Sequence, residues 1–212
     1  MTENTNSKFP SEADVVIVGV GGIVGSMIAY WLSELGQKNI VGLEKSSVIP
    51  SDIASTAHAS DFVYNTTHDK LGCWTTAFSR KFYEDNGFFL KKGGLEICRK
   101  GDDARWEELK RKVGSGKAFG TNVRLISAAE AKEKFPLLDE ESLMGAMWDP
   151  DAGLVIPRSQ DVVSFAVEHA KDKGALKTFT DTPAIDFEIE NGRVTGVHTD
   201  KGFIKADRVV IA

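Results

Sequence analysis

At 212 residues, 42% of them hydrophobic and 27% charged, the chain can bury a substantial core and reads as a soluble globular protein of one domain or two intertwined ones. Its formal charge of -5, with Lys and Arg scattered among acids, offers no basic field for a phosphate backbone, which excludes nucleic acid as an expected partner. No apolar run reaches transmembrane length, and Cys73 and Cys98 fit neither a disulfide framework nor metal-ligand spacing. The expectations are no membrane, no metal, and reduced thiols in a cytoplasmic protein.

The opening residues, 1–12, lack both the apolar core of a secretory signal and the arginines of a transit peptide, and read as a disordered leader. DVVIVG (14–19) is a β-branched run suited to a strand buried on both faces of a parallel sheet. A helix is predicted over 22–36, where glycines precede apolar residues at helical spacing and Gly36 forms a stop. NIVGLEK (39–45) supplies a second strand, which completes one βαβ unit. The middle of the chain breaks that rhythm, with helices predicted over 102–113 and 127–135 and strands over 93–99 and 143–149. An amphipathic helix over 159–175 restores it. Residues 184–199 alternate around Asn191-Gly192, a strong hairpin signal, and ADRVVIA (206–212) reads as another buried strand.

The chemistry starts at GVGGIVG (19–25), between the first strand and the helix, with Glu44 closing the second strand. Glycines there let backbone approach a pyrophosphate, the helix start offers free N–H groups, and an acid can hold a ribose diol. Glu44 lies 19 residues beyond Gly25, where the dinucleotide-binding fingerprint expects its acid. The glycine spacing is irregular. Taking Gly19 and Gly21 as the first two places Val24 at the third position, whereas taking Gly22 and Gly25 as the last two places Val20 at the first, so one extra residue sits in the turn. An acid rather than an arginine at the ribose disfavours a 2'-phosphate.

About a hundred residues of mixed structure then separate this unit from the returning helix, hairpin and strand, an interruption that points to a flavin rather than a nicotinamide. The order DVVIVGVGGIVGSMIAYWL, GLEKS, STAHAS, GGLEI, DAGLVIPRSQDVV and NGRVTGVHTDKGFIKADRVVIA resembles the FAD-dependent D-amino acid oxidase superfamily, most of all its dimethylglycine and sarcosine dehydrogenase branch. The resemblance implies an α/β fold in which a Rossmann-like FAD-binding domain (13–65 and 155–212, incomplete at its C-terminus) is interleaved with part of an α+β substrate domain (66–154). It implies FAD held by Gly19, Gly21, Gly22, Gly25, Glu44, Lys45, Ser55, Thr56, His58, Ala59 and Ala184.

In that branch a loop of Gly-Ser-Thr-Trp-His-Ala-Ala-Gly type carries a histidine bonded covalently to FAD, and STAHAS (55–60) aligns His58 with it. Ser55, Thr56, His58 and Ala59 match, whereas Ala54, Ala57, Ser60 and Asp61 depart from the pattern. Small neighbours leave the imidazole access to the flavin edge, and the 14 residues from Glu44 to His58, at ~3.3 to 3.6 Å each when extended, span ribose to ring. TPA (182–184) corresponds to a family segment whose backbone reads adenine, which assigns that contact to Ala184. His68, His169 and His198 have no ligand-spaced companions, and His169, in a helix, and His198, in a hairpin, read as solvated; Trp74, Trp106 and Trp148 read as core residues.

The implied activity is oxidation of the C–N bond of a secondary or tertiary amine such as dimethylglycine or sarcosine by hydride transfer to flavin. The electron acceptor is left open between oxygen and an electron-transfer flavoprotein. No catalytic residue is assigned, because the substrate-binding positions fall beyond residue 212 in such proteins. On this reading the chain is a fragment, inactive alone, and folate enters only through a C-terminal domain outside it. Two rivals stay open: an NAD-dependent Rossmann dehydrogenase, which would have no use for STAHAS, and a non-catalytic nucleotide-binding subunit.

Overall fold

The computed structural model describes residues 9–212. Residues 1–8 of the expected leader lie outside the described residues, while its last four are placed. Phe9 meets Phe179 edge to face at 5.3 Å, and the Ser11 carbonyl accepts from the Lys205 N–H. The chain forms two compact units, one from residues up to Ala59 together with Arg158–Ala212, the other Ser60–Pro157.

The first unit is a mixed α/β layer structure. Strand β1 (Glu12–Val18) runs parallel to β2 (Ile40–Leu43), with helix α1 (Ile23–Glu34) as the crossover. As its uninterrupted apolar run predicts, β1 is buried on both faces. Val15 and Ile17 pack on one side with α1 and α5 (Ser159–Asp172), whereas Val16 packs on the other with Val197 and Ile204. Helix α1 stops in a Schellman turn, with Gln37 N–H donating to Leu32 O at 2.9 Å and Gly36 N–H to Ser33 O at 3.1 Å.

After α5 the chain enters β9 (Leu176–Phe179), parallel to β2, and ends in a meander of β10 (Ala184–Glu190), β11 (Arg193–Thr199) and β12 (Gly202–Ile211). Strand β12 closes the sheet by pairing parallel with β1, Val16 opposite Val209. The six-stranded order is β10-β11-β12-β1-β2-β9. The hairpin turns at Asn191 and Gly192, both at positive φ (52° and 76°), the geometry of a type I' turn.

The second unit carries β3 (Phe62–Val63), α2 (Lys70–Asp85), β4 (Phe89–Lys91), β5 (Gly94–Arg99), α3 (Asp103–Ala118), β6 (Arg124–Ile126), α4 (Ala128–Lys134), β7 (Leu143–Asp149) and β8 (Gly153–Val155). They make two three-stranded sheets, β3-β8-β4 and β5-β7-β6. Its limits differ from the expected 66–154 because Phe62 and Val63 pair with Leu154 and Gly153, which draws residues 60–65 and 155–157 into this unit. One aromatic expectation is also corrected. Trp74 is 62% exposed and stacks on Phe78 rather than joining the core, because α2 turns Cys73 and Phe82 inward. His169 and His198 keep part of their side chains in solvent, and each also bonds a surface glutamate, His169 to Glu34 at 2.6 Å beside the Tyr30 ring and His198 to Glu188 at 2.9 Å.

Candidate functional site

The carboxyl ends of four parallel strands meet in the first unit. Val18 ends β1 and leads into the glycine turn; Leu43 ends β2 and leads into Glu44; Thr182–Ala184 follow β9; Ala212 follows β12. All of these line one cleft of about 510 Å³, within the range of small-molecule sites. In open α/β sheets this edge is where ligands bind, because strand ends and helix starts converge there and present unpaired backbone groups.

The turn explains its irregular glycines. Gly19 sits at φ +93°, and a Cβ on it would lie 2.5 Å from the Ala212 carbonyl oxygen; one on Gly25 would overlap the Gly19 carbonyl. Neither position admits a side chain, the first for conformation and close approach, the second because the helix start is pressed on the strand end. The extra residue is Val20. Its side chain is fully buried and fills the space over Gly42 in β2, where any Cβ would strike its methyl groups. One residue is thus folded into the core rather than looped into the cleft.

Helix α1 opens at Gly22 without a side-chain cap from that residue. The Thr56 hydroxyl, 33 residues on, accepts instead from Ile23 N–H at 3.0 Å. It does so from a single 3-10 turn, Ser55–His58. The N–H groups of Val24 and Gly25 have no intrahelical acceptor at such a start, and with the positive end of the helix dipole they form a place for an anion. Glu44 is 4% exposed. Its carboxylate accepts from Gly21 N–H at 3.0 Å through Oε2 and from Ser46 N–H at 2.9 Å through Oε1, with lone pairs left on both oxygens.

Of the residues expected at the cofactor, Gly19, Gly22, Gly25, Glu44, Lys45, Ser55, Thr56 and Ala184 line the cleft, and Gly21 adjoins it through Glu44. His58 and Ala59 are not among the lining residues, and His58 is exposed at the end of its turn. Sequence reasoning passed over Ser51, Ile53 and Ala212, and took in Thr182 only as part of TPA (182–184), with no role of its own. Thr182 is buried, donates its N–H to the Glu44 carbonyl at 3.0 Å and takes a 2.8 Å bond from Lys201 Nζ. Thr182 and Ala212 reach the cleft only through pairing of β9 and β12 with distant strands, and Ser51 and Ile53 lie in the loop after β2, where no local signal marks them.

The glycine turn under a helix start, the enclosed acid at the end of the second strand and the strand order together define a dinucleotide-binding α/β protein. The FAD dependent oxidoreductase (DAO) family profile matches residues 14–212, and the chain belongs to that family. It is 30% identical over 209 residues to the mitochondrial pyruvate dehydrogenase phosphatase regulatory subunit of Mus musculus, with 95% of this chain and 23% of that protein covered. It is 27% identical over 228 residues to the mitochondrial sarcosine dehydrogenase of Homo sapiens, at 99% and 23% coverage. Among solved structures, L-proline dehydrogenase from P. horikoshii superposes with a TM-score of 0.85 at 31% identity, covering 96% of this chain and 53% of that one. The chain therefore spans about a quarter of the length of these two relatives.

Proposed function

We propose that the first unit binds FAD and that the protein to which this chain belongs oxidises a secondary or tertiary amine such as sarcosine or dimethylglycine. The observation carrying this is the convergence of the glycine turn, the α1 start and the Glu44 carboxylate on one cleft at the strand ends, in a chain of the FAD dependent oxidoreductase family. The residues fit the group: Gly22 lines the cleft at the start of α1 with no side chain over its backbone, a Cβ there meeting only Ala54 and Thr56 at 3.7 and 3.8 Å, and Ser51 brings an unpartnered hydroxyl to the same wall. When bound, FAD supplies a hydride acceptor for the substrate C–H beside nitrogen. The N–H groups of the α1 start hold the pyrophosphate, Glu44 accepts from the ribose, and Ala184 offers backbone to the adenine.

Division of labour follows the two units, with the first as cofactor domain and Ser60–Pro157 as part of the substrate domain. His58 is the point of covalent attachment, a role supported by its alignment with the family histidine and by its exposure. The electron acceptor is oxygen or an electron-transfer flavoprotein.

Anaerobic addition of sarcosine or dimethylglycine to flavin-loaded protein, in a version extended to the length of the relatives, should bleach the flavin absorbance. Retention of full colour with both amines would reject the substrate class. Acid precipitation should leave the yellow colour with the protein and release it in His58→Ala; full release from the unsubstituted protein would reject the tether. A non-catalytic reading is favoured by one observation, the likeness to a protein named as a regulatory subunit. It predicts bound flavin that no amine reduces.

A further inference from the structure

Three hydroxyls are enclosed in the segment between Glu44 and the end of the 3-10 turn. Two are committed: Ser46 Oγ donates to Asp52 Oδ1 at 2.6 Å, and Thr56 Oγ1 accepts from Ile23 N–H. The third, Ser51 Oγ, has no hydrogen-bond partner among the described residues, although Ser51 is only 1% exposed and lines the cleft. The other enclosed polar atoms without partners, on Asn65, Arg80 and Thr121, belong to the second unit and are not among the residues that line this cleft.

Ser51 is fixed by its backbone, whose N–H donates to the Gly21 carbonyl at 2.9 Å. A Cβ built on Gly21 would fall 2.8 Å from Ser51 Cβ and 2.5 Å from Glu44 Oε2, so the serine side chain and the carboxylate converge over the same glycine. A hydroxyl enclosed without a partner destabilises the protein that holds it, whereas alanine in its place would not. Its position beside the one carboxylate of the cleft gives it a partner on ligand binding. The oxygen is itself closed off in the unliganded fold, so it meets a ligand by rotation about Cα–Cβ to another staggered position while the backbone stays bonded to Gly21.

We propose that Ser51 Oγ hydrogen-bonds one adenosine ribose hydroxyl while Glu44 takes the neighbouring one, making the pair a two-pronged diol clamp. The inference rests on the FAD reading above and names a positioning contact that the fingerprint does not contain.

ADP, which carries only the adenosine half, is the probe, with 2'-deoxy-ADP and 3'-deoxy-ADP beside it, titrated calorimetrically into the unliganded chain and its Ser51→Ala variant. The variant should bind ADP about 3- to 10-fold more weakly, the worth of one neutral hydrogen bond. It should match the unsubstituted chain on one of the two deoxy-nucleotides, and its unliganded thermal midpoint should be no lower. Equal ADP affinity, an equal loss on all three nucleotides, or a lowered unliganded midpoint would each overturn the clamp while leaving the FAD reading standing. If the unsubstituted chain binds neither ADP nor FAD, the FAD reading falls and the clamp falls with it.

Discussion

Glu44 carries two burdens that only the folded chain separates. Its carboxylate is the expected ribose acceptor, and it also satisfies the N–H groups of Gly21 and Ser46 inside the protein. Glu44→Ala should therefore lower the stability of the unliganded chain by about 1 to 3 kcal/mol, read from the urea midpoint, and weaken ADP as well, because both sets of partners lose their acceptor. An unchanged midpoint would show that the backbone bonds contribute nothing. At this scale the sequence was informative where chemistry is local. The glycines and Glu44 stand in one short segment whose spacing can be counted. Ser51 and Thr182 could not be read this way, because a serine in a loop says nothing of which carboxylate it will face. His58 came forward through the resemblance, its small neighbours and its reach from Glu44, and it is not among the residues that line the cleft.

The elements that were legible are those with a period long enough to count. Strand β1, helix α1, helix α5 and the hairpin β10–β11 all fall where patterning puts them. The hairpin depends on its turn. Gly192 at φ +76° would be strained by any Cβ, so Gly192→Val should cost roughly 1 to 2 kcal/mol, measured by chemical denaturation. A variant as stable as the parent would mean that the strand pairing, not the turn, fixes this register. Helix α2 was missed because its stripe of Leu71, Trp74 and Phe78 faces outward, while Gly72, Thr75 and Thr76 dilute the pattern. Strands β3, β4 and β8 have two or three residues each, too few to show alternation, and exist because they pair with one another.

Across the whole molecule, the strand-end cleft belongs to the discontinuous unit, and acid sensitivity has a defined source in the other. Burial alone would raise the Asp151 carboxyl, but Lys91, Asn122 and Arg80 outweigh it and hold the group below the usual carboxylate range. Its stabilisation is thus fully present above the unfolded value of about 3.9 and fades as pH falls through the lower folded value. Asp151→Asn should lower the denaturation midpoint at pH 7 and flatten the loss below pH 4; an acid limb identical to the parent's would assign that sensitivity elsewhere. The central claim, that the strand-end cleft receives FAD, is tested most directly by titrating FAD into the unliganded chain and into Gly25→Val while following flavin fluorescence. The account predicts saturable one-to-one quenching by the parent chain and its loss in the variant, whose valine would force the start of α1 off the end of β1. Quenching of equal affinity in both, or in neither, would contradict it.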